Sequence, residues 1–282
     1  MHAQPDLCHC GGRWEGGKIA ALTEVNSSPW IHECFPQGVW RLAYASPVDG
    51  EPDWALMMPG PRREAWLVCL HGHGSKGDQL FTRADIRDGW LPGFRRLGLG
   101  VLTPNLRGNA WMSAPAAADL RALLAWMRDV QGAERFYFAS GSMGGTGSLL
   151  YAVVHPEDVA ALAALCPASD LAAYHEWCGR HPGGVRDEIR QAIAAAYGGP
   201  PTEVPAAYAA HSAWQHADRL TMPVLVVHGT ADASIPVEQS RHLAALLAHS
   251  PRFTYRELAG GDHEAPLLQG GMLEWLADRD RS

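Results

Sequence analysis

The sequence lacks long apolar runs and the signature of a secretory leader. No apolar stretch reaches the roughly 18 to 20 residues that a membrane-spanning helix requires, so we predict no membrane span. The first residues, MHAQPDLCHCGGRWEGG, contain neither the basic nor the apolar segment of a signal peptide. These absences predict a soluble, cytoplasmic protein.

The chain also lacks any block of basic residues. Its 282 residues carry a formal net charge of −7, and the lysines and arginines are scattered. A partner with a phosphate backbone or an anionic lipid surface attracts clustered positive charge. We therefore predict that nucleic acid is not a partner. The oligomeric state does not follow from the sequence.

Cysteine is sparse for a chain of this length. Six cysteines in 282 residues do not form a disulfide framework. Cys69 and Cys166 lie in apolar, strand-like runs, where free thiols are usually inert. The pattern that most resembles a metal site lies near the start of the chain and contains Cys8, His9, Cys10, His32 and Cys34. Its spacing matches none of the common zinc sites, so we predict no metal.

What the chain does contain is a regular alternation of apolar strand-like runs with helical patterns. Strands are predicted at residues 38–46, 53–58, 65–70, 99–104, from 136 to the turn at 140, 159–166, 223–227 and 253–258. Helices are predicted at residues 78–97, 114–130, after the turn at 140–145, 185–197, 237–249 and 267–277. A hairpin followed by repeated strand–helix units predicts a largely parallel sheet covered by helices on both faces.

Two segments depart from this alternation. Residues 1–37 show weak periodicity and are predicted to be an N-terminal wrap. Residues 168 to about 221 contain Pro-Gly punctuation between helical pieces, which favours a small helical cap inserted into one domain over residues 38–280. The expected architecture is therefore one α/β domain with an insertion.

The segment at residues 136–155, FYFASGSMGGTGSLLYAVVH, predicts a strand, a sharp turn and a helix. Ser142 stands at the apex of the turn, with the small residues Ser140 two positions before it and Gly144 two after. Such a turn brings strand and helix too close for bulky side chains and exposes its central serine. Ser140 has Phe138 two positions before it, so Ser142 is the better candidate nucleophile.

A serine hydroxyl needs a base, and the base needs an orienting acid. Reactive groups in parallel sheets gather at the carboxyl ends of strands. Asp232 follows the strand PVLVV in the loop HGTAD, and His263 follows FTYREL in the loop AGGDH. The order Ser142, Asp232, His263 is that of the nucleophile-elbow hydrolases. Asp262 and Glu264 are alternative acids, but side chains that flank His263 directly tend to point away from it.

The loop HGHGSKG after the strand at residues 65–70 permits two interpretations. A developing oxyanion is best stabilised by backbone N–H groups, and the expected donors are Met143 and His73, with a shift by one position as the alternative. The same loop spells G-x-G-x-x-G through Gly72, Gly74 and Gly77, the fingerprint of dinucleotide binding. However, such a unit should begin the sheet and be followed by a strand that ends in an acid, and the next strand ends at Pro104. We favour the oxyanion interpretation.

With HGHG, SGSMGG, HGTAD and GGDH in this order, residues 38–280 resemble the α/β-hydrolase superfamily. TPNLRGNAW together with SMGG is most similar to its prolyl-oligopeptidase-like branch, which includes small carboxylesterases. The resemblance implies an eight-stranded, mostly parallel sheet, a Ser142/Asp232/His263 triad, and hydrolysis of esters or amides without a cofactor. Ser140 stands where the family usually has glycine. The absence of a β-propeller weakens a peptidase interpretation.

In this family an insertion before the acid-bearing loop lies over the nucleophile. It implies a substrate pocket walled by large side chains, and the candidates are Trp111, Met112, Tyr174, Trp177, Tyr208 and Trp214. Each ring has an alternative role in packing the cap onto the body. The leading hypothesis is a serine hydrolase of small or aromatic carboxylic esters. The alternatives are a small peptidase or amidase and a binding protein of the same fold without catalysis.

Overall fold

The computed structural model describes residues 20–30 and 37–280, and within them a nine-stranded mixed sheet forms the centre of the molecule. The strand order is β1-β2-β3-β5-β4-β6-β7-β8-β9. The strands are β1 Thr23–Pro29, β2 Trp40–Ala45, β3 Pro52–Met58, β4 Arg62–Val68, β5 Leu99–Pro104, β6 Arg135–Gly141, β7 Ala161–Leu165, β8 Val224–Gly229 and β9 Phe253–Leu258. In this sheet order, the neighbouring pairs β1–β2, β2–β3 and β3–β5 are antiparallel. Every later neighbouring pair, from β5–β4 to β8–β9, is parallel.

Ten α-helices connect the strands in the described part of the chain. They are α1 Gln79–Thr82, α2 Ala84–Arg96, α3 Ala114–Gln131, α4 Met143–Val154, α5 Leu171–Arg180, α6 Val185–Tyr197, α7 Pro205–Ala210, α8 Glu238–Leu246, α9 Ala265–Gln269 and α10 Met272–Asp280. Short 3₁₀ turns cover Pro156–Asp158 and Ala217–Arg219. The predicted helix at 78–97 is divided in two at Arg83, which is extended, and the helix predicted at 267–277 is interrupted at Gly270 and Gly271.

Alternate residues of the central strands contribute to two separate hydrophobic clusters, one on each face of the sheet. In β4, Trp66 and Val68 belong to one cluster, and Ala65 and Leu67 to the other. Side chains of α3, α4, α5, α6 and α8 join the first cluster, whereas those of α2 and α10 join the second. The prediction of a mostly parallel sheet covered by helices on both faces is confirmed.

The predicted strand count of eight was one too low. The additional strand is β1, which pairs antiparallel with β2 and lies in the segment predicted as an N-terminal wrap. Its sequence, TEVNSSP, is exposed along nearly its whole length, so it has no buried face and no alternation of apolar residues. The remainder of that segment, with the Cys8, His9, Cys10, His32 and Cys34 pattern, lies outside the described residues.

The connection between β7 and β8 contains α5, α6 and α7. Its first residues are tied to α8 by the buried side chain of Gln239. The side-chain Oε1 of Gln239 accepts the backbone N–H groups of Ser169 (3.0 Å) and Asp170 (2.9 Å). The backbone carbonyl oxygen of Gln239 accepts the Ser169 hydroxyl (2.6 Å). The predicted insertion is therefore attached firmly to the body where it begins. In the described residues, no helix combines the length and apolar character needed to traverse a bilayer.

Candidate active site

Ser142 occupies the tight junction between β6 and α4. Its φ of 57° and ψ of −128° lie in a region that side-chain-bearing residues rarely adopt. The conformation is held by the backbone N–H of Ser142, which donates to the carbonyl of Leu165 on the neighbouring strand at 2.8 Å. Strained backbone of this kind lifts the central serine out at the carboxyl end of the strand.

The junction is packed so closely that glycine is required for space. A Cβ on Gly144 would lie 2.2 Å from the carbonyl oxygen of Leu70, and one on Gly145 would lie 2.9 Å from that of Leu165. Both obstacles are backbone atoms, which cannot rotate away as a side chain can. Helix α4 therefore starts directly against the loop that follows β4.

Ser140, at the position where the resemblance led us to expect glycine, has a structural role. Its side chain is fully buried, and its Oγ accepts the backbone N–H of Leu70 at 2.9 Å and the hydroxyl of Ser148 at 3.3 Å. A buried backbone N–H without an acceptor is costly. The serine hydroxyl thus anchors the start of the β4 loop to the strand that carries Ser142.

The three predicted residues Ser142, Asp232 and His263 form one chain of hydrogen bonds. His263 Nε2 lies 2.9 Å from Ser142 Oγ, and His263 Nδ1 lies 2.7 Å from Asp232 Oδ2. The alternative acids have other partners. Asp262 Oδ1 accepts the N–H of Glu264 at 3.1 Å, and Glu264 forms an ion pair with Arg83. Asp232 is therefore the acid that orients His263.

The buried carboxylate of Asp232 is satisfied on both oxygens. Oδ1 accepts the N–H groups of Ser234 (2.8 Å) and Ile235 (2.9 Å), and Oδ2 faces both His263 and His228. Burial alone would raise the pKa of Asp232, but the hydrogen bonds from His228 and His263 outweigh burial and hold that pKa below its usual value. The carboxylate is thus ionised at neutral pH.

His263 experiences opposing influences on its proton affinity. Burial disfavours the charged imidazolium, whereas the nearby Cys166 sulfur and the Asp232 carboxylate favour it, and the net effect raises the pKa of His263. Cys166 follows β7 with a φ of 44°, and its thiol is fully buried beside the pair. Sequence reasoning treated Cys166 as an inert core residue and gave it no place in the site.

His73 lines the same cavity as Ser142, and Met143 directly follows Ser142 in the chain. The backbone N–H groups of these two residues have no acceptor among the described residues. On either side of His73 the N–H groups are already taken. Gly72 donates to Gln79 Oε1 at 2.7 Å, and Gly74 donates to Asn109 Oδ1 at 2.8 Å. A donor shifted by one position would have to break one of these bonds, so the geometry favours His73 in the loop.

The glycines of the G-x-G-x-x-G sequence serve this loop. A Cβ on Gly77 would lie 2.8 Å from the backbone nitrogen of Asn105, so that glycine allows the loop to pass close to the end of β5. The helix that follows, α1, ends after four residues. A dinucleotide unit would instead place a long helix directly after the loop.

A cavity of about 190 Å³ opens at Ser142 and His263. We call one side the body wall, formed by Leu80, Ile86, Trp90 and Leu267, and the other the cap wall, formed by Tyr174, Val185, Ile189 and Ile235. Polar groups of His71, His73, Gln79, Arg83, Ser234 and Glu264 complete the lining. The volume is below the roughly 300 to 1,000 Å³ of pockets for drug-sized ligands, so the cavity fits a small group.

The six predicted pocket residues are distributed unequally. Tyr174 lines this cavity, with its hydroxyl donating to the Ser234 carbonyl at 2.9 Å. Trp111 and Met112 line a separate cavity of about 20 Å³ behind Met143, and the Trp111 indole N–H donates to His73 Nδ1 at 3.3 Å.

The other three aromatic residues do not line the Ser142 cavity. Trp177 stacks on His181 with ring centroids 4.5 Å apart, Tyr208 stacks on Tyr197 at 4.6 Å, and Trp214 lies 4.1 Å from the His242 ring. Their contacts are the packing alternative raised from the sequence. The body wall and the residues Val185 and Ile189 were not identified from the sequence, because their positions depend on how α2 and α6 dock.

Among the described residues, two groups of side chains are close enough to share a cation. Cys166, Asp232 and His263 form one, and His155, Glu157 and Asp158 the other. In the first, the Asp232 oxygens already accept the hydrogen bonds described above. In the second, Asp158 lies 2.8 Å from the guanidinium of Arg128 and also accepts the Tyr151 hydroxyl. Both carboxylates are thus occupied by protein donors.

Comparison with known proteins agrees with this architecture. The family model described as alpha/beta hydrolase fold matches residues 65–181, which contain the β4 loop and the Ser142 junction. The chain has the α/β-hydrolase fold. A comparison with curated protein sequences found no match.

Similar solved structures extend the likeness in fold over most of the chain. FphF, a fluorophosphonate-binding serine hydrolase of Staphylococcus aureus, is 14% identical, with a TM-score of 0.66 over 86% of this chain and 98% of its own. Est1E from Butyrivibrio proteoclasticus is 17% identical, with a TM-score of 0.61 over 85% of this chain and 99% of its own.

A puromycin-hydrolysing peptidase of Mycobacterium tuberculosis is 19% identical, with a TM-score of 0.61 over 94% of this chain. The chain spans only 40% of the length of that peptidase. At these identities the likeness concerns the fold.

Gly144→Ala should lower both stability and activity. Its Cβ would meet the Leu70 carbonyl at 2.2 Å, and we expect a loss of about 1–3 kcal/mol in the free energy of unfolding from overpacking. Displacement of the Ser142 junction should also slow any reaction at Ser142 Oγ by about 10²-fold. Thermal unfolding and kcat/KM on an aryl ester measure both effects.

Gly89→Ala is the matched control, because a Cβ on Gly89 meets nothing within 4 Å and the residue lies inside α2. This change should stabilise the protein by roughly 0.5–1 kcal/mol and leave activity unchanged. Similar behaviour of the two variants would contradict the assigned packing.

Proposed function

We propose that this α/β hydrolase is a serine hydrolase that cleaves carboxylic esters of small or aromatic acyl groups through an acyl-enzyme intermediate. The observation that carries the proposal is the hydrogen-bonded chain from Ser142 through His263 to Asp232, at 2.9 and 2.7 Å, beside the His73 and Met143 N–H groups. A nucleophile, its base, an orienting acid and donors for an oxyanion are the complete set that acyl transfer requires.

In the proposed reaction, Ser142 Oγ attacks the ester carbonyl carbon while its proton passes to His263 Nε2. The carbonyl electron pair moves to oxygen, and that oxyanion accepts hydrogen bonds from the N–H groups of His73 and Met143. Collapse of the tetrahedral intermediate breaks the bond to the alcohol, which leaves with the proton from His263 Nε2. Water then repeats the sequence on the acyl-enzyme and releases the acid.

Asp232 supports the imidazolium that forms in each half of the reaction. Its Oδ2 accepts from His263 Nδ1, which directs Nε2 towards Ser142, and its negative charge stabilises the protonated ring. Hydrogen bonds to the buried carboxylate hold the pKa of Asp232 below its usual value, so the carboxylate stays ionised throughout the cycle. Its role is orientation and electrostatic stabilisation.

The cavity supports the choice of a small substrate. Its volume of about 190 Å³ and its two apolar walls suit a short aliphatic or an aryl group. The leaving alcohol must approach His263 Nε2 to take up its proton, and Leu267 of the body wall follows His263 by only four residues and lines the same cavity. We therefore assign the cap wall to the acyl group.

A small peptidase or amidase is the second candidate, favoured by the likeness to the puromycin-hydrolysing peptidase. The same residues would cleave an amide, with His263 protonating an amine instead of an alcohol. A panel of aryl esters and aminoacyl amides distinguishes the two by their kcat/KM values. A binding protein without catalysis would hydrolyse neither and would not react with a fluorophosphonate.

Ser142→Ala should abolish both turnover and covalent labelling by a fluorophosphonate probe. Loss of one member of such a triad costs about 10⁴-fold or more in kcat. Ser140→Ala should keep most of both activities, with a stability loss of about 1–3 kcal/mol because the Leu70 N–H loses its acceptor. Labelling is read by intact-protein mass. A dead Ser140→Ala with an active Ser142→Ala would reject the nucleophile assignment.

Hydrolysis should decline on acidification. His263 must be neutral to accept the Ser142 proton, and the contacts to Asp232 and Cys166 raise its pKa. The pKa governing kcat/KM should therefore lie above the roughly 6.5 of an ordinary imidazole, with a tenfold decline per pH unit below it. The measurement is log kcat/KM against pH on an aryl ester. A profile that is flat from neutral pH down to about 4 would exclude His263 as the base.

The kcat/KM for esters should depend on the length of the acyl group and be highest for short acyl groups. Each methylene that fits contributes up to about 0.8 kcal/mol of burial, so kcat/KM for p-nitrophenyl esters should increase towards about C4 to C6 and then decrease. Ile189→Ala opens the cap wall and should move the optimum to longer chains. An optimum at C12 or beyond in the native enzyme would contradict the closed pocket.

Ile193→Ala is the control for this change. Ile193 lies one turn further along α6, is equally buried and does not line the cavity. It should lower stability as Ile189→Ala does, while the chain-length optimum stays where it was. An equal shift in both variants would mean that helix displacement, not pocket size, sets the preference.

A further inference from the structure

A second histidine, His228, contacts Asp232, the acid of the candidate triad. His228 lies on β8, four residues before Asp232, and its side chain is fully buried. Its Nε2 lies 3.2 Å from Asp232 Oδ2 and 3.0 Å from the Ile235 carbonyl oxygen, and its Nδ1 lies 2.7 Å from Ser240 Oγ on α8. Both ring nitrogens therefore have partners, and one partner is the carboxylate that orients His263.

The surroundings of the ring fix which nitrogen carries the proton. Nε2 faces only acceptors, the Asp232 carboxylate and the Ile235 carbonyl, so it must hold a hydrogen. Nδ1 faces the Ser240 hydroxyl, which has a hydrogen to donate and no other side-chain partner in the described structure. The arrangement that satisfies every group is a neutral ring with Nε2–H as donor and Nδ1 as acceptor.

We propose that His228 is a positioning residue that holds the Asp232 carboxylate in the orientation His263 requires. The inference rests on the proposed function. Oδ1 is fixed by the N–H groups of Ser234 and Ile235, whereas Oδ2 has only side-chain donors, His263 and His228. His263 is the ring that Asp232 must orient, so it cannot also be the fixed support of that carboxylate. His228 supplies that support from the rigid strand β8.

A chain of polar contacts thus extends beyond three residues, from Ser142 through His263 and Asp232 to His228, at 3.2 Å from the carboxylate, and on to Ser240 on α8. Ser240 is itself buried, so water does not compete for these bonds. Because β8 and α8 flank the loop that carries Asp232, a donor between them restrains the carboxylate from both sides. A role in packing alone would not depend on which ring position donates.

Two variants of similar size separate positioning from packing. His228→Gln can place its amide nitrogen where Nε2 lies and keep the donor to Asp232. His228→Asn reaches only the Nδ1 position and loses that donor. We expect His228→Asn to lower kcat by about tenfold to a hundredfold with KM changed by less than about threefold, since His228 does not touch the substrate. His228→Gln should recover most of the lost kcat.

His211→Asn is the control for placing asparagine at a buried histidine. His211 is buried, its Nδ1 has no partner among the described residues, and it does not contact Asp232. It should keep the native kcat. Each variant is first checked for a cooperative thermal transition, and kcat and KM are then measured on a p-nitrophenyl ester.

The outcomes distinguish this inference from the proposed function. Native kcat in a folded His228→Asn, or equal losses in His228→Asn and His228→Gln, would overturn the positioning role even where Ser142→Ala is inactive. Full turnover by Ser142→Ala would instead overturn the proposed function. If His228→Asn does not fold, the result depends on His228→Gln, and a kcat below about a tenth of native in that variant overturns the role.

Discussion

The close approach of helix α4 to the loop after β4 is the constraint on which the site depends. Gly144 leaves no space for a side chain against the Leu70 carbonyl, and Ser140 accepts the Leu70 N–H from the other strand. These contacts fix the backbone at Met143 and at the start of the loop that carries His73, the two residues whose N–H groups we propose as oxyanion donors. Preorganised donors of this kind need no rearrangement when charge develops.

Much of the fold was predictable because its central strands are buried on both faces. The strand Leu99–Pro104 and the helix beginning at Ala114 lie where the apolar pattern placed them. Strand β1 was missed because it is exposed and so carries no apolar alternation. The helices at 78–97 and 267–277 are each divided by local backbone geometry, at Arg83 and at Gly270 and Gly271, that periodicity does not register.

Some residues of the candidate site could be identified from short local motifs, whereas others are placed there only by the packing of distant helices. Ser142, Asp232 and His263 were identified because each follows a strand with its own short motif, and strand ends in parallel sheets converge. Apart from Tyr174, the side chains of the cavity walls were not identified, because residues such as Trp90 and Ile189 reach the cavity only through the docking of α2 and α6. His228 lies in the same HGTAD motif as Asp232, but its alignment towards the carboxylate becomes visible only once β8 and α8 are placed.

The connection between β7 and β8 contributes Tyr174, Val185 and Ile189 to the cap wall, whereas Ser142, Asp232 and His263 lie outside this connection. Gln239 secures its beginning to α8, and Asp232 follows only after the chain has returned through β8. Val185 and Ile189 on α6 can therefore be exchanged without altering any bond between Ser142, His263 and Asp232. Under the proposed function, mutations in this single helix would change substrate preference while the geometry of Ser142, His263 and Asp232 is retained.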